Sequence, residues 1–65
     1  MEIEEVNEDA NFRIEIMKDS QWHYITQEYS ISTAMGTMNN LHVVFGNKSR
    51  VLSIRSNNQV MAIAE

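Results

Sequence analysis

The sequence contains no cysteine and no proline, and two glycines in 65 residues. Without cysteine there are no disulfides and no thiolate metal sites, two of the usual staples of a small fold. His23 and His42 have no partner at a metal-ligand spacing, so neither a metal nor a cofactor is expected. The lack of proline and the scarcity of glycine exclude a loop-rich or low-complexity chain. No apolar run approaches the roughly 18 residues of a membrane-spanning helix, so no membrane span is expected. Positive charge is scarce as well: five Lys and Arg stand against nine Asp and Glu, a net charge of −4. That acidity, and the lack of a basic stripe, argue against duplex nucleic acid as a partner.

The charge that is present is unevenly placed. Glu2, Glu4, Glu5, Glu8 and Asp9 crowd the start, which leaves the remaining chain slightly basic. Residues 1–9 read as an acidic flexible arm and residues 10–65 as a single folded domain. A block of like charge is ordinarily a solvated face; its sharper reading is an arm that pairs with a basic partner or imitates phosphates. The start lacks the basic and apolar blocks of a signal peptide, so a cytoplasmic location is expected. A domain of this size buries about 60% of its unfolded surface and has a thin margin. With disulfides and metal excluded, a homo-oligomer, in the simplest case a homodimer, is the expected remedy.

One stretch organises the rest. On a wheel advancing about 100° per residue, Ile31, Ala34, Met35, Met38, Leu41, His42 and Phe45 fall within roughly 120° of arc. This predicts an amphipathic helix over 31–45, capped by Ser30 or Ser32 at its start and by Gly46 in the left-handed conformation at its end. Its propensity is poor, because Thr33, Gly36, Thr37, Asn39, Asn40, Val43 and Val44 all cost relative to Ala, so packing must hold it.

Strands flank the helix. Phe12, Ile14 and Ile16 alternate with Arg13, Glu15 and Met17, the period of a half-buried strand. Residues 21–28 are rich in aromatic and β-branched types and make a second strand, after a turn at Lys18-Asp19-Ser20-Gln21. A loop of two or four residues places Ile14 and Ile16 with His23 and Ile25, and sets Met17, Trp22 and Tyr24 on the other face. A three-residue loop reverses the second strand and makes Trp22 and Tyr24 core residues. The even-length loop is preferred, because a three-residue loop demands a left-handed residue and no glycine is available. After the helix, residues 50–55 and 59–64 read as strands joined by an Asn57-Asn58 turn. That register puts 54 opposite 61 and 52 opposite 63, so Leu52, Ile54, Met61 and Ile63 share one face.

The order β-β-α-β-β predicts an α+β fold, a two-layer sandwich with one antiparallel sheet and the helix on one face. The sheet's other face has nothing to cover it. In this reading it carries Met17, Trp22, Tyr24, Val51, Val60 and Ala62, and an apolar patch with two aromatics marks an interaction surface. Met17, Trp22, Tyr24, Val51 and Val60 are therefore the candidate protein-interface residues. An alternative is a small ligand such as a nucleotide, held by Lys48, Arg50 and Arg55 with the helix-start hydroxyls Ser32 and Thr33, across a subunit boundary.

Catalysis is not expected. No serine sits in a glycine-flanked elbow, nothing brings Glu15 and Glu28 together as a pair, and one helix on one sheet leaves little room for a cleft of about 300 Å³. His42, within the helix stripe, reads as a packed ring with its polar edge near solvent, and His23 as a sheet-surface residue.

Over residues 11–64 the layout of Phe12-x-Ile14-x-Ile16, Trp22-x-Tyr24, a single helix and Arg50-Val51-Leu52-Ser53-Ile54 resembles that of small cysteine-free proteins encoded by bacteriophages. The resemblance is one of layout, and no functional residue carries over. Members of that group bind and block host proteins or antiviral defence components, and others sequester a nucleotide signal. The expected function is a non-enzymatic inhibitor or adaptor that binds another protein, a host or defence component.

Overall fold

The computed structural model describes residues 10–65. The acidic arm read for residues 1–9 lies outside the described residues. The element order is β1 (Phe12–Lys18), β2 (Gln21–Glu28), α1 (Ile31–Phe45), β3 (Ser49–Ser53) and β4 (Gln59–Ala64), with a 3-10 turn over Ile54–Ser56 between the last two strands. The described strands make one antiparallel sheet in the order β2-β1-β3-β4, and α1 lies across one face. This is the β-β-α-β-β two-layer arrangement that the periodicities predict.

The core is built where the two inner strands meet the helix. Ile14 of β1 stands opposite Val51 of β3, and Ala34 and Met38 of α1 close over them. Ile14, Val51 and Ala34 are fully buried. Phe12, Met35, Leu41, Ala62 and Ala64 pack around this centre. Both helix caps form as the sequence predicts: Thr33 N–H donates to Ser30 Oγ at 3.3 Å, and Gly46, at φ 75°, donates to the His42 carbonyl at 2.8 Å. His42 Nδ1 lies 3.0 Å from the Asn47 carbonyl; since a carbonyl only accepts, the ring donates and fixes the loop after the helix. The stripe does not bury along its whole length. Ile31 and Phe45 remain 41% and 65% exposed, because α1 runs about 22 Å while the short β3 beneath it covers about 17 Å.

The first hairpin has the even-length loop. Asp19 and Ser20 form a two-residue turn, with Met17 opposite Trp22 and Ile16 opposite His23. The expectation that no left-handed residue is needed fails, however, since Asp19 and Ser20 take φ 55° and 66°, as a primed hairpin turn requires at both positions. A bulge follows: Ile14 faces Thr26 and Glu15 faces Tyr24, so Ile25 is the extra residue. Trp22 and Tyr24 therefore lie on the face away from the helix.

The second hairpin corrects the sequence reading. β3 spans Ser49–Ser53 rather than 50–55, and Asn57 and Asn58, though both left-handed at φ 57° and 61°, end a five-residue connection. Ser53 pairs with Gln59, Leu52 with Val60 and Val51 with Ala62, with Met61 as a bulge. Two bonds impose this. Ile54 N–H donates to the Asn11 carbonyl at 2.9 Å, which ties it to β1 rather than β4, and Asn58 N–H donates to Ser53 O at 2.8 Å. Val51, Ala62 and Ala64 thus belong to the helix side, and Leu52, Val60 and Ile63 to the open side. Val51 is not an interface residue, because its pairing with Ile14 commits it to the core.

Candidate functional site

The open sheet face is laid out in rows by the strand registers. One row is Gln27-Arg13-Leu52-Val60 and the next Tyr24-Glu15-Arg50-Ile63, followed by Trp22 beside Met17. Of the predicted interface residues, Met17, Trp22 and Tyr24 come together on β1 and β2. Val60 lies at the far margin on β4, three strand spacings or about 14 Å away. Tyr24, Val60 and Ile63 are exposed. Leu52, inside the same face, is buried.

Between the two apolar margins sits a charged centre. Glu15 is 6% exposed. Its Oε2 accepts from Arg13 Nε at 2.8 Å, and its Oε1 accepts from Arg50 Nε at 2.9 Å and Nη2 at 2.7 Å. These lengths are those of charge-assisted bonds. Each guanidinium also rests on a ring: Arg13 Cζ lies 4.9 Å from the Tyr24 centroid and Arg50 Cζ 4.1 Å from the Trp22 centroid, within cation–π range. The order Tyr24, Arg13, Glu15, Arg50, Trp22 is thus one connected assembly. It follows from local alternation on β1, which puts Arg13 and Glu15 two residues apart on one face, and from the β1–β3 register, which sets Arg50 directly opposite Glu15.

The residues named for a small ligand do not converge within one chain. Ser32 and Thr33 lie in the first turn of α1, and the Thr33 hydroxyl accepts from Ser30 Oγ at 3.0 Å. Arg55 donates through Nε to Asn11 Oδ1, and Asn11 Nδ2 donates to the Tyr29 carbonyl at 3.1 Å, which places Arg55 near the helix start. Lys48 follows the other end of α1, about 22 Å of helix away. Arg50 is on the opposite face of the sheet. Glu28 is turned to the helix, accepting from the Thr37 hydroxyl at 3.0 Å, so it does not join Glu15. His23 Nε2 lies 3.1 Å from the Lys18 carbonyl.

The helix side holds a concavity of its own. An open groove of about 540 Å³ is lined by Ile16, Lys18, Ile25, Leu41, Phe45 and Asn47. The expectation of little cleft volume is therefore corrected: the helix end overhangs the bulged part of β2 and leaves a gap. Beside it Val43, Val44 and Phe45 are exposed. Among the described residues no group of His, Cys, Asp and Glu is placed to hold a metal, and no helix is long and apolar enough to cross a membrane.

Comparison with protein-family models, with curated proteins and with solved structures finds no match to this chain.

Proposed function

We propose that this chain is a non-enzymatic protein-binding inhibitor or adaptor that engages its partner through the open sheet face, with a layout that resembles bacteriophage-encoded proteins, some of which bind and block host or defence proteins. The observation that carries the reading is the face itself: α1 covers one side of the sheet, while the other presents Trp22, Tyr24, Val60 and Ile63 around a fixed Arg13–Glu15–Arg50 centre. Aromatic and arginine side chains are the types that dominate binding energy in protein interfaces.

The edges support the face over strand addition. β2 and β4 are both outer strands and both carry a bulge, at Ile25 and at Met61. Bulges blunt an edge against pairing with another strand. Self-association belongs elsewhere in this proposal, on the exposed Val43, Val44 and Phe45 at the end of α1.

The test compares affinity capture by the wild type, Tyr24→Ala, Trp22→Ala and Val43→Ser, each first shown to be folded by circular dichroism. The expected outcome is one protein lost with both open-face variants and retained with Val43→Ser. Retention of every captured protein by both open-face variants refutes the reading.

A further inference from the structure

We infer that the open face is a carboxylate-binding site, and that it receives an extended, otherwise apolar segment of the partner protein carrying one acidic residue, whose side-chain carboxylate docks on Arg13 and Arg50 beside Glu15. The inference rests on the reading of this face as a protein-binding surface and names what that surface recognises.

Charge decides the chemistry. Two guanidiniums share one carboxylate, and among the described residues the strands place no second acid on this face, since Glu28 turns to the helix. The centre is therefore net positive in a chain whose net charge is −4. An ordinary interface has an apolar centre and a polar rim. Here the order is inverted, with rings at one margin, Val60 and Ile63 at the other and the charge between them. A partner seated on both margins necessarily buries the centre. Burying a net positive charge without a counter-ion is costly, so the partner has to bring an anion. The donors for it are in place. Glu15 engages Arg13 through Nε alone, and the Arg13 and Arg50 side chains keep 38% and 23% of their surface exposed.

The same charges exclude other occupants. A second copy laid face to face brings one positive centre onto another. A single-stranded nucleic acid brings a row of phosphates where this face offers a single positive centre. A net acidic chain also repels a polyanion. A carboxylate carried by an otherwise apolar segment meets neither obstacle.

The spacing gives the segment's pattern. By strand position the centre spans β1 and β3, and the backbones of the marginal strands β2 and β4 each lie about 7 Å from its midline, one and a half strand spacings. In an extended chain, residues two apart on one side are separated by about 7 Å as well. A segment crossing the sheet with the pattern apolar-x-acid-x-apolar therefore sets its acid on the arginines and its two apolar side chains on the margins.

The test uses blocked pentapeptides, acetyl-Leu-Thr-Glu-Thr-Leu-amide and its central Gln and central Lys counterparts, titrated against the full chain. Binding is read from the emission of Trp22, the sole tryptophan, and from the Nε–H resonances of Arg13 and Arg50. The Glu peptide is expected to bind on the order of tenfold tighter than the Gln peptide, to weaken in 0.5 M salt (roughly a 4 Å Debye length), and to lose its advantage in Arg13→Gln but not in the helix-side control Lys18→Gln. Equal binding of Glu and Gln peptides at the open face overturns the carboxylate site while leaving a protein-binding face. No perturbation of Trp22 or the arginines by any of the peptides also overturns it. The capture comparison between Tyr24→Ala and wild type then shows separately whether the broader reading falls. Tighter binding of an oligothymidylate at the same resonances, or a dimer that buries them, assigns the face to nucleic acid or to a second copy and overturns the inference.

Discussion

Two valines that look alike in the sequence should differ sharply on truncation. Val51 is fully buried between Ile14 and the helix, and Val60 on the outer strand is 42% exposed. Val→Ala removes two methyl groups, about 1.6 kcal/mol of transfer free energy at a fully buried site. At position 51 the inner strands and Met38 close the space on every side, so a cavity term adds to this and brings the loss to roughly 2–3 kcal/mol. At position 60 a little over half of that transfer term applies and no closed cavity is left, which gives about 1 kcal/mol or less. With a urea m-value of about 1 kcal/mol per M for a domain this small, the midpoint should fall by roughly 2–3 M for Val51→Ala and by at most about 1 M for Val60→Ala. A domain of this length has on the order of 3–10 kcal/mol in all, so the first variant surrenders a large share. The measurement is urea unfolding followed by circular dichroism, with both m-values checked for constancy. Equal shifts would mean that both valines face the same side, and the β3–β4 register given above would be wrong.

The two glycines should respond in opposite directions. Gly36 is in the exposed interior of α1 with nothing within 4 Å of an added Cβ, so Gly36→Ala should stabilise by about 0.5–1 kcal/mol in thermal unfolding. Gly46 sits at φ 75°, so Gly46→Ala should cost about 1 kcal/mol even though its surroundings are equally open. Ser20, at φ 66° in the first hairpin turn, is strained as a non-glycine residue, and Ser20→Gly should raise the urea midpoint by about 0.5–1 M.

What was legible in the sequence was local. The alternation from Phe12 to Met17, the helical stripe and both helix caps depend on neighbours within a few residues, and each appears in the structure where the pattern puts it. The errors arose where a distant strand decides. Asn57-Asn58 has the chemistry of a tight turn and takes the expected positive φ angles, yet the turn sits inside a longer connection because Ile54 bonds to Asn11, more than 40 positions away in the chain. Hairpin arithmetic puts Val51 and Ala62 on the open face, and the pairing of Val51 with Ile14 overrides it. A bulge changes the face of everything beyond it, and neither Ile25 nor Met61 announces one. The site was half legible for the same reason. Arg13-x-Glu15 on one face is plain from period two, whereas Arg50 opposite Glu15 is a non-local register.

That pairing also explains why a face so rich in apolar residues does not form one continuous patch. Trp22, Tyr24 and Met17 are divided from Val60 and Ile63 by the Arg13–Glu15–Arg50 centre, and a divided patch binds indiscriminate apolar surfaces less well. The centre contributes little to stability, because desolvating the buried carboxylate offsets much of the ion pairing. Replacing all three residues with apolar ones of similar size (Arg13→Leu, Glu15→Val, Arg50→Leu) should therefore leave the unfolding midpoint unchanged or raise it. The same variant should self-associate, with a solution mass by light scattering that grows with concentration beyond the wild type's. If the triple variant is instead strongly destabilised and keeps the wild-type mass, the charged centre is a structural brace, and specificity of docking is not what it provides.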